Sequence, residues 1–180
     1  MAFKEFCLLV FLLAVMDSHA TRNYKIKIIG TDLCSTHEDY YNGDESYFEI
    51  NKYNESTDSI NAVMDLMQDL PDNTIINIQS YERRNGEWEQ GVVHMNQTWC
   101  DFMKDDPYFM ESIIQHSNFP KECPITKNTI EIKDFVIDEE KLPEEIPGDE
   151  WRYVFEQSVN GVSIINFLID IKIKRTHGQT

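Results

Sequence analysis

The sequence is poor in positive charge. It has 16 lysines and arginines against 32 aspartates and glutamates in 180 residues, which gives a formal net charge of −16 at pH 7. Nucleic-acid binding needs Lys and Arg to neutralise phosphates, and electrostatic docking on an anionic membrane needs them as well. The composition therefore argues against both of these partners, although net charge alone identifies no other partner.

The sequence also lacks the motifs of common enzyme and metal sites. It contains no Gly-x-Ser-x-Gly, His-Glu-x-x-His or Cys-x-x-Cys motif and no phosphate-binding glycine loop. After residue 20 the histidines stand singly, at His37, His94, His116 and His177. The acidic run Asp138–Glu140 lacks the alternating oxygen ligands of a calcium loop. We therefore expect no catalytic residue, no metal site and no cofactor, and a protein that is not an enzyme.

Long apolar runs are missing too, and the longest one is at the start. Lys4 precedes an apolar stretch from Phe6 to Met16, and the small residues Ser18 and Ala20 follow it. A membrane-spanning helix needs about 20 apolar residues, so this stretch favours a signal peptide over an anchor. We predict a signal peptide at residues 1–20 and one secreted, soluble domain at 21–180, without stable membrane insertion.

Two Asn-x-Ser/Thr sequons agree with secretion. They begin at Asn54 and Asn96, and a glycan on either residue requires that residue to be exposed.

Three cysteines remain after the predicted cleavage, and in an oxidising compartment we expect two of them to pair. Cys100 and Cys123 are the natural candidates, because they flank a closed excursion that contains a short predicted helix, with Asp106 as its cap and Pro107 in its first turn. Three cysteines do not fix the pairing. Cys34 is then left over, either buried or paired with another chain.

The C-terminal region gives the clearest strand signal. Apolar residues alternate with polar ones from Ile165 to Lys174, which is typical of a strand with one buried face. Asn160-Gly161 predicts a tight turn that joins this strand to Trp151–Val159. Further strands are predicted at 23–29, 47–53, 74–81, 87–95 and 129–137, with a second hairpin turn at Asn85-Gly86.

The remaining segments are less specific. Residues 60–70 fit a strand and a helix equally well, and the acidic, proline-containing segment 138–150 is predicted to be an exposed loop. The fold class is mostly β: an antiparallel β-cup or sandwich with one short helix.

Three stretches near the C-terminus carry a resemblance: WCDFMKDD (99–106), CPITKNTIEIKDFVID (123–138) and LPEEIPGDEWRYVFE (142–156). Together with the alternating last strand, they resemble insect secreted proteins related to the mammalian ganglioside activator, among the MD-2-related lipid-binding proteins. The similarity is in particular to the insect chemosensory proteins of the A and B types. It covers roughly Tyr24 to Arg175 and is densest from Trp99 onward.

The resemblance implies a β-cup, in which two antiparallel sheets enclose an apolar cavity for lipid or hydrocarbon chains. It implies a disulfide between Cys100 and Cys123 and a strand at Ile60–Leu70. In such a cup the inward residues of the last strand would form part of the cavity wall, namely Ile165, Phe167, Ile169 and Ile171. The alternative for these four residues is an ordinary filled core.

The sequence departs from the ganglioside activator in two places. Cys34 has no cysteine near the C-terminus with which to tie the first strand to the last. The loop that is apolar and touches membranes in the activator carries Glu144, Glu145 and Asp149 here. We therefore expect binding of a free hydrophobic ligand rather than extraction of lipid from a bilayer.

Two functions follow as hypotheses. The first is a secreted carrier for a lipid, pheromone or cuticular-hydrocarbon-like ligand, with a role in chemosensation. The second is a secreted interaction module with a filled core, which engages a receptor or another protein through its surface. An apolar void between the sheets favours the carrier, whereas normal packing density favours the interaction module.

The secretion hypothesis predicts that insect cells release the protein into the medium with an N-terminus at or near Thr21. Glycosidase treatment should lower its mass, and Asn54→Gln together with Asn96→Gln should abolish that loss. Intact mass spectrometry measures both. Retention of the full-length chain in the membrane fraction would contradict the signal-peptide prediction.

Overall fold

The structure, a computed structural model, describes residues 22–106 and 108–176. The predicted signal peptide lies outside the described residues. The described residues form eight strands: β1 (Tyr24–Thr36), β2 (Tyr47–Lys52), β3 (Asp58–Leu66), β4 (Ile75–Arg84), β5 (Glu87–Thr98), β6 (Asn128–Phe135), β7 (Glu150–Val159) and β8 (Val162–Arg175). Two short helices, α1 (Trp99–Asp105) and α2 (Met110–Gln115), follow β5, and a 3₁₀ turn (Glu139–Lys141) precedes β7.

The strands form two antiparallel sheets. The five-stranded sheet has the order β1-β8-β7-β4-β5, and the three-stranded sheet has the order β2-β3-β6. The prediction of a mostly β, antiparallel fold is confirmed. No helix within residues 22–106 or 108–176 is long and apolar enough to cross a membrane.

Both predicted hairpin turns are present. Asn85-Gly86 joins β4 to β5, and Asn160-Gly161 joins β7 to β8. All four residues have positive φ angles, between 52° and 87°, which is the conformation that two-residue hairpin turns require and that Asn and Gly adopt readily. The turns fix the register of each hairpin.

The ambiguous segment after residue 58 is a strand. In β3 the residues Ile60, Ala62, Met64 and Leu66 are all buried, and the residues between them, from Asn61 onward, are half-buried. This alternation confirms the strand that the resemblance implies, although the strand ends at Leu66 rather than Leu70. The inner face of β3 packs toward the inner face of the five-stranded sheet and supplies one side of the core.

The excursion between β5 and β6 contains two helices where the sequence predicts one. Thr98 caps α1 by accepting a hydrogen bond from the Asp101 backbone N–H at 3.1 Å. The Asp106 carboxylate accepts from the backbone N–H groups of Phe109 and Met110 at 2.6 and 2.7 Å, but α2 begins at Met110 with Phe109 as its N-cap residue, so the predicted helix start at Asp106 and Pro107 is too early. Pro107 lies outside the described residues. Cys100 and Cys123 form a disulfide that closes this excursion.

The segment before β7 is less exposed than the sequence indicates. Ile146 is 9% exposed and belongs to the core. The Tyr24 hydroxyl donates to the Pro143 carbonyl at 2.6 Å, and the Arg175 guanidinium donates to the Ile146 carbonyl at 2.7 Å. The exposed-loop prediction is correct for the acidic side chains of Glu144 and Glu145, but the apolar residues among them fold inward because water disfavours their exposure.

Loss of the disulfide should destabilise the domain. Cys123→Ser should lower the free energy of unfolding by about 2–5 kcal/mol, the usual cost in a small secreted domain, and should reduce the secreted yield. Chemical denaturation measures the first effect. Peptide mapping without reduction should recover Cys100 joined to Cys123 from the wild type, and a Cys34–Cys100 peptide would contradict the assignment.

Candidate ligand-binding site between the sheets

The four residues predicted to line a cavity lie on the inner face of β8 but differ in exposure. Ile165 and Ile171 are 0% and 4% exposed. Phe167 and Ile169, which lie between them along the strand, are half-buried. The predicted wall is therefore buried at both ends and partly exposed to solvent in the middle.

The buried residues at the two ends of the predicted wall have buried cross-strand partners on neighbouring strands. Ile171 pairs with Ile28 of β1 and with Trp151 of β7, and all three side chains are buried. At the other end Ile165 pairs with Gln157, which is 4% exposed. Thr36 of β1, the third member of the Ile165 row, is half-buried, so this end is buried on β8 and β7 only.

The two rows between these ends are half-buried on all three strands. In order across β1, β8 and β7, they consist of Leu33, Phe167 and Phe155, and of Thr31, Ile169 and Tyr153. In a uniformly filled core, the rows nearest the middle would be at least as buried as the rows at the ends. The opposite order here shows that solvent reaches the middle rows more than the end rows.

The opposing sheet contributes one aromatic side chain to this region. Phe48 of β2 stacks on Phe167 with ring centroids 4.3 Å apart, and Phe167 stacks on Phe155 at 4.8 Å. The Thr31 hydroxyl donates to the Phe48 carbonyl at 3.2 Å, which holds β2 beside β1. We call the half-buried set the inner-face patch: Leu33, Phe48, Tyr153, Phe155, Phe167 and Ile169.

The inner-face patch is apolar apart from one hydroxyl group. Burial raises the pKa of Tyr153, and the nearby Tyr24 raises it further, so the Tyr153 hydroxyl stays protonated at neutral pH. None of the six members carries a charge. The patch therefore suits an apolar molecule and offers one polar contact.

Two surface hollows lie elsewhere. One, of about 380 Å³, is lined by polar and charged residues at the β4–β5 turn and the start of β7: Arg83, Gly86, Asp149, Glu150 and Lys172. The other, of about 410 Å³, lies beside α1 and α2 and is lined by Met103, Lys104, Asp106, Met110, Glu111, Ile114, Gln115 and Lys121. Neither hollow is lined by the predicted wall or by the inner-face patch.

The remaining predicted site residues are scattered. Asn54 is exposed in the turn between β2 and β3, and Asn96 is exposed on β5, so both sequons are accessible in the fold. Cys34 is an exposed free thiol. No group of three or more His, Cys, Asp or Glu residues in the described part of the chain is placed to hold a metal ion.

Sequence reasoning found two of the six patch members. The alternation of Trp151, Tyr153 and Phe155 predicts a strand, but it does not show which of these residues stays half-exposed. Phe48 is the patch member contributed by the other sheet, and Leu33 follows a break in the alternation of β1. The missing information is how the two sheets face each other.

The partly open middle predicts different responses to the same substitution at two positions on β8. Ile171→Phe should lower the free energy of unfolding by about 1–3 kcal/mol, because it overpacks a buried row. Ile169→Phe should leave the melting temperature nearly unchanged, because its row is half-buried and a larger side chain can extend toward solvent. Thermal denaturation compares the two variants. Equal, large losses would show that the middle is packed as tightly as the end.

Comparison with known proteins gives one partial match to a family model and no function. Residues 76–153, from β4 to the start of β7, match a family model described as a protein of unknown function, DUF1091. No curated protein matches the chain.

Proposed function

We propose that this protein is a secreted carrier that binds one hydrophobic ligand between its two sheets. The observation that carries the proposal is the half-buried inner-face patch, which lies between the buried row of Ile28, Ile171 and Trp151 and the buried pair Ile165 and Gln157. An apolar chain placed there would gain about 0.8 kcal/mol for each methylene group removed from water. The resemblance to the chemosensory and ganglioside-activator proteins supports the same ligand class: a lipid, a pheromone or a cuticular-hydrocarbon-like molecule.

The composition of the patch agrees with a ligand site. Ligand pockets are mostly apolar and aromatic, with a small number of polar groups that fix orientation. The stacked rings of Phe48, Phe167 and Phe155 form a continuous apolar surface, and Tyr153 adds one hydroxyl. The disulfide between Cys100 and Cys123 is of the kind found in oxidising compartments and supports an extracellular location.

A second candidate function is a surface interaction module that engages a receptor or another protein. It is favoured by exposed groups on the five-stranded sheet. Val92 on the edge strand β5 is 85% exposed, and the Cys34 thiol on the other edge strand, β1, is exposed and unpaired. Exposed sheet edges are common sites of strand addition by a partner.

Ligand titration distinguishes the two functions. A long-chain fluorescent hydrocarbon probe should bind with about one site per chain. In displacement assays with unlabelled chains, affinity should rise with chain length until the site is full, because each added methylene contributes until it meets solvent.

A pair of adjacent variants tests where the ligand binds. Ile169→Phe enlarges a member of the inner-face patch and should shift the optimal ligand length toward shorter chains. Leu168→Phe, on the opposite face of the same strand, is the control and should leave the optimal ligand chain length unchanged. If folded wild-type protein binds no chain of any length, the carrier proposal is wrong and the surface interaction module remains.

A further inference from the structure

The hollow beside α1 and α2, which we call the helix hollow, has an apolar floor. Its volume is about 410 Å³, which is within the range of small-molecule pockets. Met110 is 2% exposed, and Met103 and Ile114 are half-buried and pack against the core. The flexible Met103 side chain can adapt to the shape of an apolar molecule. The helix hollow therefore offers apolar surface at a place separate from the inner-face patch.

Four charged side chains line the helix hollow, and both acidic ones are already engaged. The Asp106 carboxylate accepts hydrogen bonds from two backbone N–H groups at the start of α2, at 2.6 and 2.7 Å. The Glu111 carboxylate accepts from Lys141 Nζ at 2.6 Å, and this bond lowers the pKa of Glu111. Neither acidic group is left to attract a cation.

The two basic side chains of the helix hollow are available. Lys104 and Lys121 are exposed, and neither forms an ion pair within residues 22–106 and 108–176. Their acidic neighbours in sequence, Asp105 and Glu122, do not line the hollow. The net charge of −16 opposes an anion, but screening limits its reach to about 8 Å at physiological ionic strength. The nearby lysines therefore determine which charge the hollow prefers.

Two cross-links hold the walls of the helix hollow together. The disulfide between Cys100 and Cys123 joins α1 to the segment that carries Lys121. The ion pair between Lys141 and Glu111 joins the 3₁₀ turn to α2. The hollow is thus formed before any ligand binds, which is usual for small-molecule sites.

We propose that the helix hollow binds an anionic amphiphile: an alkyl chain of medium length that ends in a carboxylate, as in an ionised fatty acid. The chain packs against Met103 and Ile114, and the carboxylate contacts the ammonium groups of Lys104 and Lys121. An amine with the same chain meets two positive charges, and a small anion lacks the apolar contact. This site is independent of the proposed carrier function, which concerns the space between the sheets.

Matched ligands and matched variants test the site. Isothermal titration calorimetry at pH 7.4 gives the Kd of decanoate, decylammonium and inorganic phosphate for wild type and for Lys104→Gln combined with Lys121→Gln. Decanoate should bind the wild type more tightly than the other two ligands. The double substitution should weaken decanoate binding about three- to tenfold, the effect of two exposed ion pairs.

Lys27→Gln combined with Lys174→Gln is the control. It removes two other exposed, unpaired lysines, on β1 and β8, and changes the net charge equally, so it should bind decanoate as the wild type does. Equal affinity for decanoate and decylammonium, equal weakening in both double variants, or phosphate binding as tight as decanoate binding would each overturn the proposal.

The same titrations separate this site from the proposed carrier site. Decanoate that displaces the fluorescent hydrocarbon probe, and that is weakened by Ile169→Phe and not by the lysine substitutions, would lie between the sheets. That result would overturn the helix hollow as its site and support the carrier function. Lysine-dependent decanoate binding by a protein that does not bind the probe would support the helix hollow and contradict the carrier function.

Discussion

The pairing of β8 with β1 on one side and β7 on the other determines most of the structure. β8 is the longest strand, and it is paired along nearly its whole length on both sides. Each inward residue of β8 therefore lies in a row with one residue of β1 and one of β7. Residues of one row can therefore share their degree of burial, as the buried row of Ile28, Ile171 and Trp151 does.

Strand alternation and turn residues made much of the fold predictable. The apolar stripe of β8, the two Asn-Gly turns and the cysteine pair each depend on residues close in sequence or on simple constraints, and each is confirmed. β1 shows the limit of this reasoning. The sequence predicts a strand that ends at Ile29, whereas the strand runs to Thr36 with register shifts between Ile28 and Gly30 and between Leu33 and Ser35. A bulge adds one residue and reverses the apolar–polar alternation after it. The sequence pattern therefore does not show that the strand continues.

The first helix and the candidate site were not predictable for a different reason. The seven residues of α1 cannot form a stable helix alone. Trp99 and Phe102 stabilise it by stacking at 5.3 Å, with Phe119 packed edge-on against Trp99 at 5.8 Å, and this last contact is distant in sequence. In the same way Ile169 and Ile171 are identical residues on one face of one strand, yet one is half-buried and the other is 4% exposed, a difference that depends on tertiary packing and not on the local sequence.

The hydrogen bonds that hold the segment before β7 have a consequence for sequence divergence. Arg22 donates to the carbonyls of Glu139 and Glu140, Tyr24 donates to that of Pro143, and Arg175 donates to those of Ile146 and Gly148. All five acceptors are main-chain atoms, which every residue type supplies. The side chains of Glu140 and Glu145 can therefore change among related sequences without removing any of these five hydrogen bonds, whereas Glu144 also forms an ion pair with Arg22 at 3.8 Å.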